Sequence, residues 1–115
     1  MQSCLGMRTG DVAVGQLDLL LLAALARLGA GHGYAVIRAV RDHSDGALDV
    51  PEGSVYPAFQ RLEREGLIVG EWDESGPRPR RVYRLTPAGS VRLHERSARW
   101  REVASGVDAV LRWAL

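Results

Sequence analysis

Residues 54–66 read SVYPAFQRLEREG, and the spacing of their apolar side chains predicts an amphipathic helix. With about 100° of rotation per residue, these apolar side chains share one face of the helix. Pro57 is expected in the first turn, where a missing N–H costs nothing, and Gly66 is a typical C-terminal stop. The inward face consists of Val55, Ala58, Phe59 and Leu62, and the outward face of Tyr56, Pro57, Gln60, Arg61 and Arg64.

The outward face has the composition of a helix that contacts DNA. Arg and Gln side chains hydrogen-bond to base edges and phosphates. Tyr56, Gln60 and Arg61 lie in the N-terminal half, which is the part that usually enters the major groove. Amphipathic helices with outward Arg are common, so a solvated face is the alternative. This helix alone does not decide between the two.

Two further helices are predicted before this segment. Residues 16–28 are rich in Leu and Ala and stop at Gly29, and residues 32–44 carry an apolar stripe of Val36, Ile37 and Val40. The first of these helices is apolar on nearly every side. It therefore needs partners on more than one side, from a second subunit or an extra helix.

A hairpin and a long helix are predicted after it. Thr86 is an N-cap and Pro87 a first helical residue, from which a helix can run to about Ala114. The order helix, helix, helix, hairpin, long helix predicts a mostly helical α+β fold, a winged helix-turn-helix with a long C-terminal dimerisation helix. The two strands are residues 67–73 and 81–85, joined by a turn at 74–79, and the expected divisions are a flexible tail at 1–10, a winged helix-turn-helix at 11–86 and the C-terminal helix at 87–115.

Composition excludes several classes of protein. The chain of 115 residues is 46% hydrophobic and 25% charged, which is typical of one globular domain. The single Cys4 forms no internal disulfide and fits a reducing cytosol. The longest apolar run is too short for a bilayer, and no secretory signal is evident, so we expect a cytoplasmic protein without a membrane partner. His32, His43 and His94 show no metal-ligand spacing, and no catalytic set or cofactor motif appears, so we expect no metal, cofactor or enzymatic activity.

The predicted hairpin is strongly basic at one end. Residues 78–84 read RPRRVYR, with four Arg and no acidic side chain, and the acidic Glu71, Asp73 and Glu74 come just before them. All fifteen basic residues of the chain are Arg, which can bond phosphates bidentately. Such a tip suits phosphate contacts or a narrow minor groove. A soluble loop with chance Arg enrichment is the alternative, whereas Glu63 and Glu65 are expected to be solvated charges.

The combination of helix and hairpin resembles the PadR family of bacterial transcriptional regulators over about residues 16–113. The resemblance rests on His32-Gly33-Tyr34, Gly53-Ser54-Val55-Tyr56-Pro57, residues 61–67 (RLEREGL) and residues 83–89 (YRLTPAG). It implies homodimers that bind palindromic operators in double-stranded DNA. The candidate DNA-binding residues are Tyr34, Ser54, Val55, Tyr56, Pro57, Gln60, Arg61, Arg78, Arg80 and Arg81. Tyr34 and Tyr56 have packing with a surface hydroxyl as their alternative.

The C-terminal helix carries a candidate dimer seam. Leu93, Trp100, Val107 and Ala114 recur every seven residues, although Arg96 interrupts the stripe and Gly106 weakens the helix. The predicted dimer interface consists of Leu17, Leu20, Leu21, Leu93, Trp100, Val103, Val107, Val110 and Leu111.

Trp100 is also a candidate ligand-binding residue. The resemblance to the short PadR subfamily implies that a Trp at this position faces its two-fold mate and stacks planar aromatic molecules. A dimer-core Trp without a ligand is the alternative, and Trp72 and Trp113 are expected to be packing residues.

The sequence as a whole predicts a sequence-specific DNA-binding regulator, a homodimeric repressor. Two forms of it stay open, one that a small effector at the dimer interface releases and one that has no small-molecule effector. The alternative is a winged-helix module that contacts only other proteins. The Arg-rich wing argues against this alternative, because such modules usually have neutral or acidic wings.

Overall fold

The computed structural model describes residues 14–115. The tail predicted at residues 1–10, with Cys4, and the predicted start of the domain at residue 11 lie outside the described residues. The predicted mostly helical α+β fold is confirmed. The elements in chain order are α1 (Val14–Leu28), α2 (Gly33–His43), α3 (Glu52–Arg64), β1 (Ile68–Asp73), β2 (Arg80–Leu85) and α4 (Pro87–Ala114).

Helix α1 is the centre of the core. It packs against α2, α3, β2 and α4 of its own chain, which explains why its sequence is apolar on nearly every side. Leu17 and Leu21 are buried in this core, so their assignment to the dimer interface is wrong. Leu20 is only half-buried and stays a candidate. The other large side chains of the core include Leu22, Leu25, Val36, Val55, Phe59, Leu62, Ile68 and Tyr83.

The hairpin forms the predicted wing. Strands β1 and β2 pair antiparallel, from Ile68 opposite Leu85 to Asp73 opposite Arg80. Gly31 adds to the free edge of β2 through two backbone hydrogen bonds of 2.9 Å with Tyr83. The Tyr83 ring lies 4.3 Å from the ring of Phe59 on α3, measured between centroids. The base of the wing is therefore fixed to the segment before α2 and to α3.

Helix α3 begins earlier than predicted. Pro51 is its N-cap in an extended conformation, and the helix starts at Glu52. Pro57 therefore lies inside the helix, in its second turn, rather than in the first turn. The extended Pro51 starts the helix directly after itself, which the pattern of apolar side chains could not indicate.

The N-terminal end of helix α4 is held by hydrogen bonds, and its C-terminal end is exposed to solvent. The Thr86 hydroxyl accepts a hydrogen bond from the Gly89 N–H at 3.1 Å and donates one to the Gly66 carbonyl at 2.6 Å. A Cβ at Gly89 would lie 2.0 Å from the carbonyl oxygen of Leu67, so only glycine allows this contact. All residues from 105 to 115 are exposed. No helix within residues 14–115 is long and apolar enough to cross a membrane.

Candidate nucleic-acid interface

A groove of about 540 Å³ separates the wing from the start of α2 and the start of α3. Tyr34 and Tyr56 stand on its sides, with 58% and 59% of their surfaces exposed. These values disfavour the packing alternative for both tyrosines. The remaining lining residues are His32, Gly33, Ile37, Glu52, Gly53, Val55, Trp72, Pro79, Arg80 and Arg81.

The surface of α2 and α3 beside this groove is aromatic and polar. The guanidinium of Arg38 lies 5.7 Å from the centroid of the Tyr34 ring, a cation–π distance. On α3, Tyr56, Pro57 and Gln60 are exposed, and Ser54 is half-buried. Of these four predicted positions, Tyr56 lines the groove together with Tyr34. Their contact with DNA stays a prediction.

Val55 does not belong to this surface. Only 2% of its side chain is exposed, and it packs in the core with Phe59 and Leu62. A Cβ added at Gly33 would lie 3.6 Å from a Val55 methyl, so α2 approaches α3 closely at this point. The assignment of Val55 as a DNA contact is wrong, because the side chain between two outward neighbours points inward on a helix.

Arg61 is committed to another partner. Its guanidinium makes an ion pair and a hydrogen bond with Asp18 of α1, a carboxylate in a residue only 6% exposed. The Arg61 Nε is buried without a hydrogen-bond partner in the described part of the chain. Arg61 therefore links α1 to α3, and its contact with DNA stays a prediction that competes with this pair. Its place on the helical wheel, between the inward and outward faces, is the signal that sequence reasoning overlooked.

His32 joins the start of α2 to the wing. Its Nδ1 lies 3.3 Å from the Ala35 N–H as an N-cap, and its Nε2 lies 2.9 Å from Nη1 of Arg80. A neutral imidazole has one acceptor nitrogen, so it accepts from one of these donors at a time, and a protonated ring accepts from neither. Burial and the neighbouring Arg80 charge lower the pKa of His32, while Asp73 opposes them.

The predicted wing arginines differ in their surroundings. Arg78 is exposed and has no ionic partner within residues 14–115. Arg80 approaches His32 and also Asp73, at 3.8 Å between Nη2 and Oδ2. Hydrogen bonds from Ser75 lower the pKa of Asp73 and keep it ionised near Arg80. The wing tip thus carries a free charge at Arg78 and a partly held one at Arg80.

Arg81 is held against α3. Its Nη2 donates to the Glu63 Oε2 at 2.8 Å, and its guanidinium lies 5.5 Å from the Trp72 ring centroid. The expectation that Glu63 is a solvated charge is wrong, because its side chain is half-buried, whereas Glu65 is exposed as expected. Glu63 pairs with Arg81, and Glu65 lies 3.5 Å from Nη1 of Arg92 on α4.

The exposed tryptophans correct a further expectation. Trp72 is 62% exposed and lines the groove, and Trp113 is 86% exposed near the end of α4. Neither is buried in its own chain, as a packing residue would be. Trp72 lies on the same face of β1 as the buried Ile68, but near the tip of the wing, and Trp113 lies beyond the part of α4 that contacts the body.

The described residues hold no group of His, Cys, Asp or Glu that could bind a metal ion.

Three helices closed by an arginine-bearing hairpin define a winged helix-turn-helix protein. The sequence profile of the transcriptional regulator PadR-like family matches residues 21–95. The chain belongs to this family, whose members are transcription factors and not enzymes, as the sequence predicted.

Solved structures and a curated relative support this assignment. A PadR family transcriptional regulator from Eggerthella lenta superposes with a TM-score of 0.73 at 35% identity, over 84% of this chain and 82% of that one. PadR of Bacillus subtilis in complex with operator DNA superposes with a TM-score of 0.62 at 25% identity, over 69% of this chain and 45% of that one. Transcriptional regulator Rv3488 of Mycobacterium tuberculosis is 45% identical over 58 residues, which are 50% of this chain and 54% of that protein.

Proposed function

We propose that this PadR-family regulator binds a palindromic operator in double-stranded DNA as a homodimer and represses transcription there. The observation that carries the proposal is the groove between the wing and the starts of α2 and α3, which presents Tyr34 and Tyr56 beside Arg80. A structural relative, PadR of Bacillus subtilis, has been solved with operator DNA. Guanidinium and hydroxyl groups at the edges of such a groove suit phosphate contacts.

The outward residues of α3 would read the major groove, and the wing would follow the backbone. Tyr56, Pro57 and Gln60 lie together on the exposed side of α3, whose buried side is fixed to α1 and α2. Arg80 lines the groove on the side of the wing, and Arg78 is exposed near the tip of the same hairpin. A rigid helix with a charged hairpin beside it contacts bases and phosphates at once, which sequence-specific binding requires.

Selection of bound sequences from a random pool of duplexes tests the proposal. We expect a palindrome whose half-sites are about one helical turn apart, because a two-fold dimer places two copies of α3 in successive major grooves. The affinity should fall steeply as salt concentration rises. Absence of binding at every salt concentration would favour the alternative, a winged-helix module that contacts only proteins.

The homodimer is supported by α4, which presents apolar side chains that its own chain leaves uncovered. With about 100° per residue, the predicted seam residues from Leu93 to Leu111 fall within one arc of about 100° on the helix. Leu93 is partly covered by the core, whereas the later seam residues are exposed. Leu20 borders an apolar groove of about 490 Å³ between α1 and α2, also open in the single chain. The exposed seam residues are Trp100, Val103, Val107, Val110 and Leu111.

A planar aromatic effector at Trp100 is a second part of the proposal. Trp100 is 45% exposed within the seam, so dimerisation would bring it close to its two-fold mate. Binding of a planar aromatic dye should quench the fluorescence of Trp100. Because Trp72 and Trp113 are exposed as well, the titration needs the matched variants Trp72→Phe and Trp113→Phe. Quenching that survives Trp100→Phe would place the ligand elsewhere, and a dimer-core Trp without a ligand would then stand.

A further inference from the structure

The side of α3 that faces the wing carries an acidic side chain, next to the surface where DNA is expected. Glu63 lies one turn after Gln60 and Phe59 and is about one-third exposed. A carboxylate beside a polyanion is repelled, and the repulsion weakens binding unless a cation neutralises it. The nearest cation is the guanidinium of Arg81 on β2, whose Nη2 lies 2.8 Å from the Glu63 Oε2. The Glu63–Arg81 pair links α3 to the wing.

The Arg81 guanidinium is enclosed by neighbouring side chains. It lies 5.5 Å from the centroid of the Trp72 ring and 5.9 Å from that of Tyr83. On the neighbouring strand, a Cβ at Gly70 would approach the Arg81 Nε to 2.9 Å, so the absence of a side chain at Gly70 leaves room for Arg81. Two aromatic rings, a carboxylate and a glycine thus surround one guanidinium.

Arg78 and Arg84 of the wing are not enclosed in this way. Arg78 is exposed without an ionic partner in the described chain, and Arg84 pairs with Glu71 where both side chains are more than half exposed. Exposed pairs of this kind are worth little and exchange easily for a phosphate. If Arg81 moved to a phosphate, it would leave its rings and expose an unpaired Glu63 carboxylate to the DNA.

We propose that Arg81 is a positioning residue that neutralises Glu63 and holds the base of the wing on α3, and that it does not neutralise a DNA phosphate. The inference rests on the proposed DNA binding. It changes the role of Arg81 from a DNA contact to a fixed link between two DNA-contacting elements. The Glu63–Arg81 pair then sets the distance between Arg78 on the wing and Gln60 on α3, and with it the fit to the operator.

The salt dependence of DNA binding distinguishes the two roles. The slope of log K against log salt concentration changes by about 0.9 for each phosphate neutralised. The double variant Arg81→Gln/Glu63→Gln removes both charges and keeps two groups that can hydrogen-bond. If Arg81 only neutralises Glu63, the local charge is unchanged and the slope of the double variant equals that of the wild type.

Two single variants complete the design. Arg78→Gln is the matched control on the same wing, and its slope should decrease in magnitude by about 0.9, because it removes a free charge. Glu63→Gln releases Arg81 to contact a phosphate, so the magnitude of its slope should increase by up to about 0.9. The ratio of operator affinity to random-DNA affinity should fall several-fold. Thermal unfolding of each variant checks that it is folded, and Glu63→Gln decides alone if the double variant is unfolded.

The inference is overturned if the magnitude of the double variant's slope is smaller than that of the wild type by about 0.9, as for Arg78→Gln, since Arg81 would then neutralise a phosphate. It is also overturned if Glu63→Gln changes neither the slope nor the affinity ratio. Failure of the proposed function looks different, because the wild-type protein itself would then bind no DNA at any salt concentration.

Discussion

Gly89 shows how a single residue position determines the junction between wing and α4. The Leu67 carbonyl oxygen lies where a side chain at position 89 would begin, 2.0 Å from the expected Cβ. The backbone of the first turn of α4 is therefore in direct contact with the residue that precedes β1. The Thr86 N–H donates to the same Leu67 carbonyl at 3.0 Å, which fixes the junction further.

We expect Gly89→Ala to lower the free energy of unfolding by about 3 kcal/mol or more, because the methyl group meets backbone that cannot move aside. Urea denaturation measures the loss. Gly106→Ala is the matched control in the same helix, where nothing lies within 4 Å of the new Cβ. That change should stabilise the protein by up to about 1 kcal/mol, since Ala favours a helix over Gly. Equal effects of the two changes would contradict the contact.

The ion pair between Asp18 and Arg61 is a second place where a single substitution should lower stability. Arg61→Met should cost about 2–3 kcal/mol of unfolding free energy, because it leaves the buried Asp18 carboxylate without its cation. This cost is below the range of about 3–5 kcal/mol for fully buried pairs, since the Arg61 side chain is 31% exposed. Arg64→Met, on the exposed side of the same helix, should change stability by under about 0.5 kcal/mol.

The salt dependence of DNA binding by Arg61→Met gives a second measurement. We expect the wild-type slope, because Arg61 contacts Asp18 and not phosphate. A slope reduced by about 0.9 would restore Arg61 to the DNA surface.

At the scale of elements, the start of α2 and the wing share one titratable residue, His32. Its folded-state pKa is lowered by burial and by Arg80, so the folded protein resists protonation where the unfolded chain accepts a proton. The contribution to stability is therefore complete above the ordinary His pKa of about 6.5 and is lost as the pH falls from there through the lowered folded value.

His32→Asn tests this dependence. Asn is a good N-cap without a charge in this range, so the variant should keep α2 capped and show a flatter stability curve between about pH 5 and 7 than the wild type. Thermal unfolding at a series of pH values measures both curves. Parallel curves for the two proteins would show that His32 contributes nothing to the pH dependence.

At the scale of the whole molecule, α4 extends the chain to 54 Å in its longest dimension, against 30 and 22 Å in the others. A helix of 28 residues is about 42 Å long, and the compact body covers only its first half. Side chains exposed in this way along one stripe are typical of a surface that a second protein covers. The proposed homodimer supplies that cover.

Val107→Asp places a charge in the middle of the seam and should convert the dimer to a monomer at micromolar concentration, since the carboxylate would be buried without a partner. Sedimentation velocity measures the mass. Ala109→Asp adds the same charge on the opposite side of α4, where Ala109 is exposed, and should leave the dimer intact. The proposed seam fails if both variants stay dimeric or both dissociate.

Local patterns sufficed to predict the elements and their order. The periodicity of residues 54–66, the β composition on both sides of residues 74–79 and the Thr86-Pro87 cap each depend on neighbours in sequence. The structure has these elements, with the start of α3 moved to Glu52 by the extended Pro51. The exposed candidates Tyr56 and Gln60 followed from the same periodicity, because a side chain's direction on a helix is fixed by its position, whereas Tyr34 came from the family resemblance.

The winged-helix order, the family resemblance and the outward side of α3 could all be read from residue order, because they follow from local propensity and spacing. Which charges are free and which are paired depends on the folded chain. Asp18 meets Arg61, and Glu63 meets Arg81, across separations of 43 and 18 residues. Partners so far apart are selected by the packing of α1, α3 and the wing, and a pattern of residue types carries no information about that distance. For the same reason Leu17 and Leu21 proved to be core residues, buried where α1 packs against the other elements of its own chain.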